Sequence, residues 1–201
     1  MKKALYNKIK SEYGKRASWA IWCDQCPYCA EVIEGYIDEL KVDTVFVGLN
    51  VSRDISGDTY WKNFHHKHRG SNDKKLSEAL NHSQYRGSYM TDILKDYPES
   101  DSIKIEKLLD RKDKKFMKQL NDSIDNFLCE LKTIGAANSK LFLFGIVVEK
   151  IFKNNDKLKR LNFQKIIAPA ARGQKFDEIY DQLNISRKTQ KKKCCGCQNC
   201  D

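Results

Sequence analysis

The chain has 201 residues, with 37 Lys+Arg against 27 Asp+Glu, a formal charge of +10, 8 Cys, 10 Gly and only 3 Pro. That length favours one domain, and a 40% hydrophobic, 10% aromatic composition excludes a wholly disordered chain. The positive excess suits a polyanion such as nucleic acid, and no apolar run approaches the ~18 residues of a membrane span.

The first residues, Met1 to Lys8, turn polar at once and lack the apolar stretch of a signal peptide. A cytoplasmic protein is expected, with cysteines reduced or metal-bound rather than disulfide-paired. Residues 1–40 carry a helical pattern: Leu5, Ile9 and Tyr13, then Val32, Ile33, Tyr36, Ile37 and Leu40, recur at spacings of three and four. Thr44 to Leu49 is a short β-branched apolar run that suits a strand buried on both faces. Residues 51–75 are polar and contain the cluster His65-His66-Lys67-His68, as expected of a long functional loop. Ser88 to Leu94 is a second candidate strand.

Residues 113–134 predict an amphipathic helix, with Phe116, Met117, Leu120, Ile124, Phe127, Leu128 and Leu131 on one face. Lys140 to Gly145 is the clearest strand, and a helix from Val147 to Phe152 follows it. Lys165 to Pro169 is the fourth strand candidate, and a last helix runs from about Lys175 to Leu183. Short apolar strands alternating with helices predict an α/β fold. The expected form is a three-layer α/β/α sandwich around a central, mainly parallel, four-stranded sheet. One domain spans residues 1–186, with a basic, Cys-rich tail at 187–201. Ligands of such folds bind at the carboxyl ends of the strands. Those ends are Gly48–Asp54, Thr91–Lys95, Gly145–Ile146 and Ala168–Gly173.

Taken together, these four segments resemble the motifs of the uracil-DNA glycosylase superfamily. Phe46-Val47-Gly48-Leu49-Asn50-Val51-Ser52 is similar to its first motif, a strand leading into G-[IMLQ]-[ND]-P. Tyr89-Met90-Thr91-Asp92-Ile93-Leu94-Lys95 is similar to its base-reading strand, with a Thr-Asn pair, apolar residues and Lys. Leu141-Phe142-Leu143-Phe144-Gly145 resembles its apolar strand ending in Gly. Ile166-Ile167-Ala168-Pro169-Ala170-Ala171-Arg172 falls where a second catalytic motif of the type H-P-S-P stands. The resemblance covers about residues 40–183. It implies a flipped base, hydrolysed from its sugar by a positioned water. Asn50 would position that water, Phe64 would stack on the base and Asp92 would read its edge. Gly48, Leu49, Val51, Ser52, Ala168, Pro169 and Ala170 would complete the substrate pocket.

Three positions depart from the motifs. Val51 replaces the usual Pro, Asp92 replaces the base-reading Asn, and Ala168 replaces the second-motif His. No His follows His82, so Arg172 or nearby backbone amides would have to stabilise the departing base; a loop His is the other candidate. An ionised Asp92 only accepts hydrogen bonds and suits a base edge with two donors, as in guanine. Its structural alternative is a helix cap or a pair with Lys95. Trp61 and Phe64 suit either a pocket wall or a helical core.

Cys23, Cys26 and Cys29 form C-x2-C-x2-C, and Cys194, Cys195, Cys197 and Cys200 form C-C-x-C-x2-C. Such spacings suit a zinc ion or an iron–sulfur cluster, neither of which the glycosylase chemistry requires. Cys129, on the apolar helix, is expected in the core. Cys26-Pro27-Tyr28-Cys29 is also the dithiol motif of glutaredoxins, but the three prolines offer no candidate for the cis-Pro strand of that fold. The expected function is hydrolysis of the N-glycosidic bond of a damaged or deaminated base in single- or double-stranded DNA, by a monomer with no membrane association. The alternatives are a catalytically silent nucleic-acid reader of the same fold and a dithiol oxidoreductase.

Overall fold

The computed structural model describes residues 1–24, 28–55, 57–66, 72–169 and 177–186. In chain order the elements are α1 (Lys3–Tyr13), β1 (Ala17–Trp19), a 3-10 helix (Glu31–Glu39), β2 (Lys41–Asn50), α2 (Asp73–Leu80) and β3 (Ser88–Leu94). They continue with α3 (Ser102–Asp110), α4 (Lys114–Ile134), β4 (Lys140–Phe144), α5 (Ile146–Asn154), β5 (Phe163–Ile166) and α6 (Glu178–Gln182). One mixed sheet holds five strands, rather than the expected four, in the order β1-β3-β2-β4-β5. β2 lies parallel to both β3 and β4, β4 lies parallel to β5, and β1 runs antiparallel along the outer side of β3.

Alternation along the central strands divides the core in two. Val45, Val47, Leu141 and Leu143 face one apolar cluster with Ile9 of α1, Phe127 and Leu131 of α4, and Ile151 and Phe152 of α5. Phe46, Met90, Phe142 and Phe144 face a second cluster with Leu76 and Leu80 of α2 and Ile179 of α6. The period of two sends successive side chains to opposite faces, so helices cover both sides of the sheet. The longest helix, α4, has well-formed ends. Asp113 Oδ1 accepts from Phe116 N at 2.8 Å, and Gly135 closes the helix in the left-handed region at φ 81°. Such a cap contributes about 1 kcal/mol.

Several expectations shift. The N-terminal forty residues are not continuously helical, because Ala17–Trp19 forms the edge strand. α2 and α3 emerge from segments with no predicted element, and β5 starts at Phe163 and ends at Ile166. Cys129 lies on the exposed side of α4 instead of in the core. Among the described residues, no helix is long and apolar enough to cross a membrane. The tail from residue 187 lies outside the described residues.

Candidate functional site

Parallel pairing brings the ends of β2 and β3 to one edge, with Gly48 opposite Asp92 and Asn50 opposite Leu94. A cavity of about 560 Å³ opens there. Val51, Ile55, Leu94 and Pro98 supply its apolar wall, and Lys15, Arg16, Arg53 and Lys95 its cations. Asp54, Asp92 and Asp96 are its anions. Much of the rim charge is already paired. Arg16 bridges Asp96 at 2.8 Å, and Arg53 bridges Asp58 at 2.8 Å while its Nη2 lies 2.7 Å from His66 Nδ1.

Asp92 is only 4% exposed. Its Oδ2 accepts from Asn63 Nδ2 at 2.8 Å, and Asn63 also donates to the carbonyl of Arg16 at 3.0 Å. Its Oδ1 abuts Gly48 so closely that a Cβ at position 48 would lie 2.1 Å from it and 3.4 Å from the Phe64 ring. Among the described residues nothing donates to Oδ1. Burial disfavours the ionised form and raises the Asp92 pKa to about 6, although Asn63 and the charge of Lys95 pull it back. Neither structural alternative for Asp92 holds. Asn63 is its partner, while Lys95 pairs with Glu130 across a 2.7 Å contact.

Asn50 has an unusual environment. Its Nδ2 donates to the carbonyls of Val51, Tyr97 and Glu99 at 2.8, 2.7 and 2.8 Å. Three acceptors around one nitrogen fix the amide orientation, a choice usually left to the hydrogen-bond network. Oδ1 therefore points away from those carbonyls, and no described residue donates to it.

Phe64 reaches Gly48 from a loop in which both Trp61 and Phe64 have positive φ, 65° and 66°. Non-glycine residues pay a steric cost there, of order 1 kcal/mol or more, which surrounding contacts must offset. Trp61 is a buried core residue whose Nε1 donates to Tyr6 Oη at 2.9 Å, and it is not helical. His65, expected in a polar loop, is only 1% exposed. It stacks on Trp22 at 5.1 Å and its Nε2 lies 3.0 Å from the Ile21 carbonyl. Burial lowers the pKa of His65, and burial together with Arg53 lowers that of His66. Both rings are neutral at pH 7 and are held in structural contacts. His68 lies outside the described residues.

Of the expected site residues, Asp92 and Val51 line the cavity, Gly48, Asn50 and Phe64 do not, and Ser52, next to Val51 in the chain, is exposed. Leu49 turns to the opposite face and packs on the core. Ala168 packs with the second cluster, and the Pro169 carbonyl lies 3.4 Å from Lys75 Nζ. Neither lines the cavity. Ala170 and Arg172 lie outside the described residues, as do Cys26, Cys194, Cys195, Cys197 and Cys200. Cys23 is buried and disulfide-bonded, which overturns for this residue the expectation of a reduced or metal-bound thiol. Cys29 is buried and keeps its thiol. Among the described residues, no three His, Cys, Asp or Glu side chains converge as a metal site.

The sequence reading missed Asn63 and Glu130. Glu130 is 0% exposed and accepts at Oε1 from Tyr89 Oη at 2.8 Å and Thr91 Oγ1 at 2.9 Å. A carboxylate three residues after Phe127, on the apolar stripe of α4, was the signal that could have found it. Asn63 offers no comparable pattern. Comparison with protein-family models, curated proteins and solved structures returns no significant match.

Proposed function

We propose that the protein binds a flipped nucleobase in the cavity beyond β2 and β3 and hydrolyses its N-glycosidic bond. The observation that carries this reading is Asp92: a carboxylate that lines the cavity and whose Oδ1, among the described residues, accepts no hydrogen bond. Buried polar atoms ordinarily find partners, so an open acceptor in a cavity supports a ligand that donates to it. A base edge carries such N–H donors. Phe64, packed near Gly48 and Asp92 but outside the cavity lining, is the aromatic proposed to stack on the base. Asn50 is the proposed water holder: its nitrogen donates to three carbonyls, and among the described residues nothing donates to its Oδ1. The motif resemblance to uracil-DNA glycosylases supports the same assignments.

The test is base release from labelled oligonucleotides, single-stranded and duplex, carrying uracil, mismatched thymine, hypoxanthine or xanthine. Wild-type protein should leave alkali-labile abasic sites on one of them. Asn50→Ala should lower the rate by about 10²–10³-fold, the scale of losing one group that orients the reaction, with nucleic-acid affinity within a few-fold. Undiminished release by the variant would remove Asn50 from the mechanism. Binding without release would favour a catalytically silent reader, the alternative supported by Ala168 standing where the second-motif His would be.

A further inference from the structure

Among the described residues, the reaction as proposed still needs a group that takes up negative charge, Arg172 lying outside them. When the C1′–N bond breaks, both of its electrons go to the base. Water oxygen forms the new C1′–O bond, and the proton it releases ends on the departed base or in solvent. Until then the base is an anion, and a cation facing its carbonyl oxygen lowers the barrier. The position where the resembling family carries His is Ala168, and the two described loop histidines, His65 and His66, are neutral and engaged.

Lys95 has the required properties. It lines the cavity beside Asp92 and is only 8% exposed. Its Nζ donates to Thr91 Oγ1 and lies 2.7 Å from Glu130 Oε2, an ion pair whose angles fall outside those of a hydrogen bond. An ammonium has three N–H groups, and among the described residues these are its only two partners. Glu130 is itself held at Oε1 by the hydroxyls of Tyr89 and Thr91. A charge buried this deeply is stable only with a fixed counter-charge, so Glu130 settles both the charge and the place of Lys95.

We infer that Lys95 is the cationic donor that receives the charge of the departing base, and that Glu130 is the positioning residue that holds it at the cavity. The catalytic form of this inference rests on the base-hydrolase reading, whereas its binding form can be tested apart from activity.

The test is calorimetric binding of two free bases at pH 7: uracil, which is neutral, and 5-nitrouracil, whose acidified ring is ionised. Wild-type protein should bind the anion about tenfold tighter or more, the scale of one charge-assisted hydrogen bond. Lys95→Met alone strands a buried carboxylate and risks unfolding. The decisive variant is therefore Lys95→Met with Glu130→Gln, which keeps an acceptor for Tyr89 and Thr91 and removes both charges together. It should bind the two bases within about threefold of each other, whereas Lys95→Arg should keep a preference for the anion. Equal binding by wild type, binding of neither base, or a preference that survives the double substitution would each overturn the assignment. Oligonucleotide base release separates this inference from the function: release without anion preference sinks Lys95 alone. Anion preference without release keeps the donor and sinks the hydrolase.

Discussion

β3 serves two buried carboxylates, one on each face of the sheet, and they are treated differently. On the α4 side, Glu130 has two hydroxyl donors on one oxygen and an ammonium against the other. On the opposite side, Asp92 has Asn63 on one oxygen and, among the described residues, no donor to the other. Both are nearly inaccessible, at 0% and 4% exposure. Burial alone therefore does not mark a functional acid. Glu130 has a partner against each oxygen, although the Lys95 contact is an ion pair without a hydrogen bond, whereas one oxygen of Asp92 has none among the described residues. Burial pushes the pKa of the half-satisfied Asp92 up to about 6.

Breaking the Glu130 side should have the largest effect. Glu130→Ala strands the Lys95 ammonium and two buried hydroxyls, and should cost about 3–5 kcal/mol in urea unfolding. A loss below about 1 kcal/mol would mean that the network is not structural. Glycine at 48 guards the Asp92 side. Gly48→Ala drives a methyl into Asp92 Oδ1 and should cost about 1–3 kcal/mol, with loss of base binding. Unchanged binding would show that the Asp92 pocket is not the ligand site.

Removing the titratable group gives a result of opposite sign. Asp92 has a raised folded-state pKa, so the native state holds a proton that the unfolded chain has released between about pH 4 and pH 6. Its contribution to stability is present at low pH and is lost as pH rises through that window, by up to about 3 kcal/mol. Asp92→Asn should therefore flatten the decline in stability between pH 4 and 6 and be more stable than wild type at pH 7, while abolishing base binding. A parallel pH profile for the two proteins would contradict the raised pKa. His65, whose pKa is lowered, acts in the other direction, its contribution lost as pH falls below about 6.5, and is the same in both proteins. The smallest effect belongs to the rim. Arg16 and Asp96 are about half exposed, so Arg16→Gln should change stability by less than about 1 kcal/mol. It should instead weaken nucleic-acid binding and flatten its salt dependence, measured by titration at several salt concentrations. An unchanged salt slope would exclude Arg16 from phosphate contact.

What the sequence made legible follows from burial. β2, β3 and β4 are central; apolar runs at Val45–Val47 and Leu141–Phe144 announce β2 and β4, whereas β3 is fully buried yet includes Ser88, Thr91 and Asp92. α4 exposes one side and buries the other, so its periodicity is plain. β5 lies at the edge, where Gln164 and Lys165 are exposed, and without a buried run its start is displaced in the reading. β1 is three residues long, too short for alternation to register. Eight residues of α2, with three buried positions among charges, give an equally faint signal. At the candidate site, strand-end motif order points to Gly48, Asn50 and Asp92, with Phe64 as an aromatic of the following loop, and of these four Asp92 lines the cavity. Asn63 was not, because its partnership with Asp92 depends on a loop whose course two positive-φ residues decide.

The two margins of the sheet carry a consequence for self-association. An unpaired strand edge is a template on which a second chain can extend the ladder. Here one margin is the three-residue β1 and the other the four-residue β5, which displays Lys165 outward. A neighbouring copy would gain only a short stretch of hydrogen bonds at either of these margins. Among the described residues, the longer strands most prone to such pairing are enclosed between them, which disfavours edge-to-edge pairing through this sheet while it remains folded.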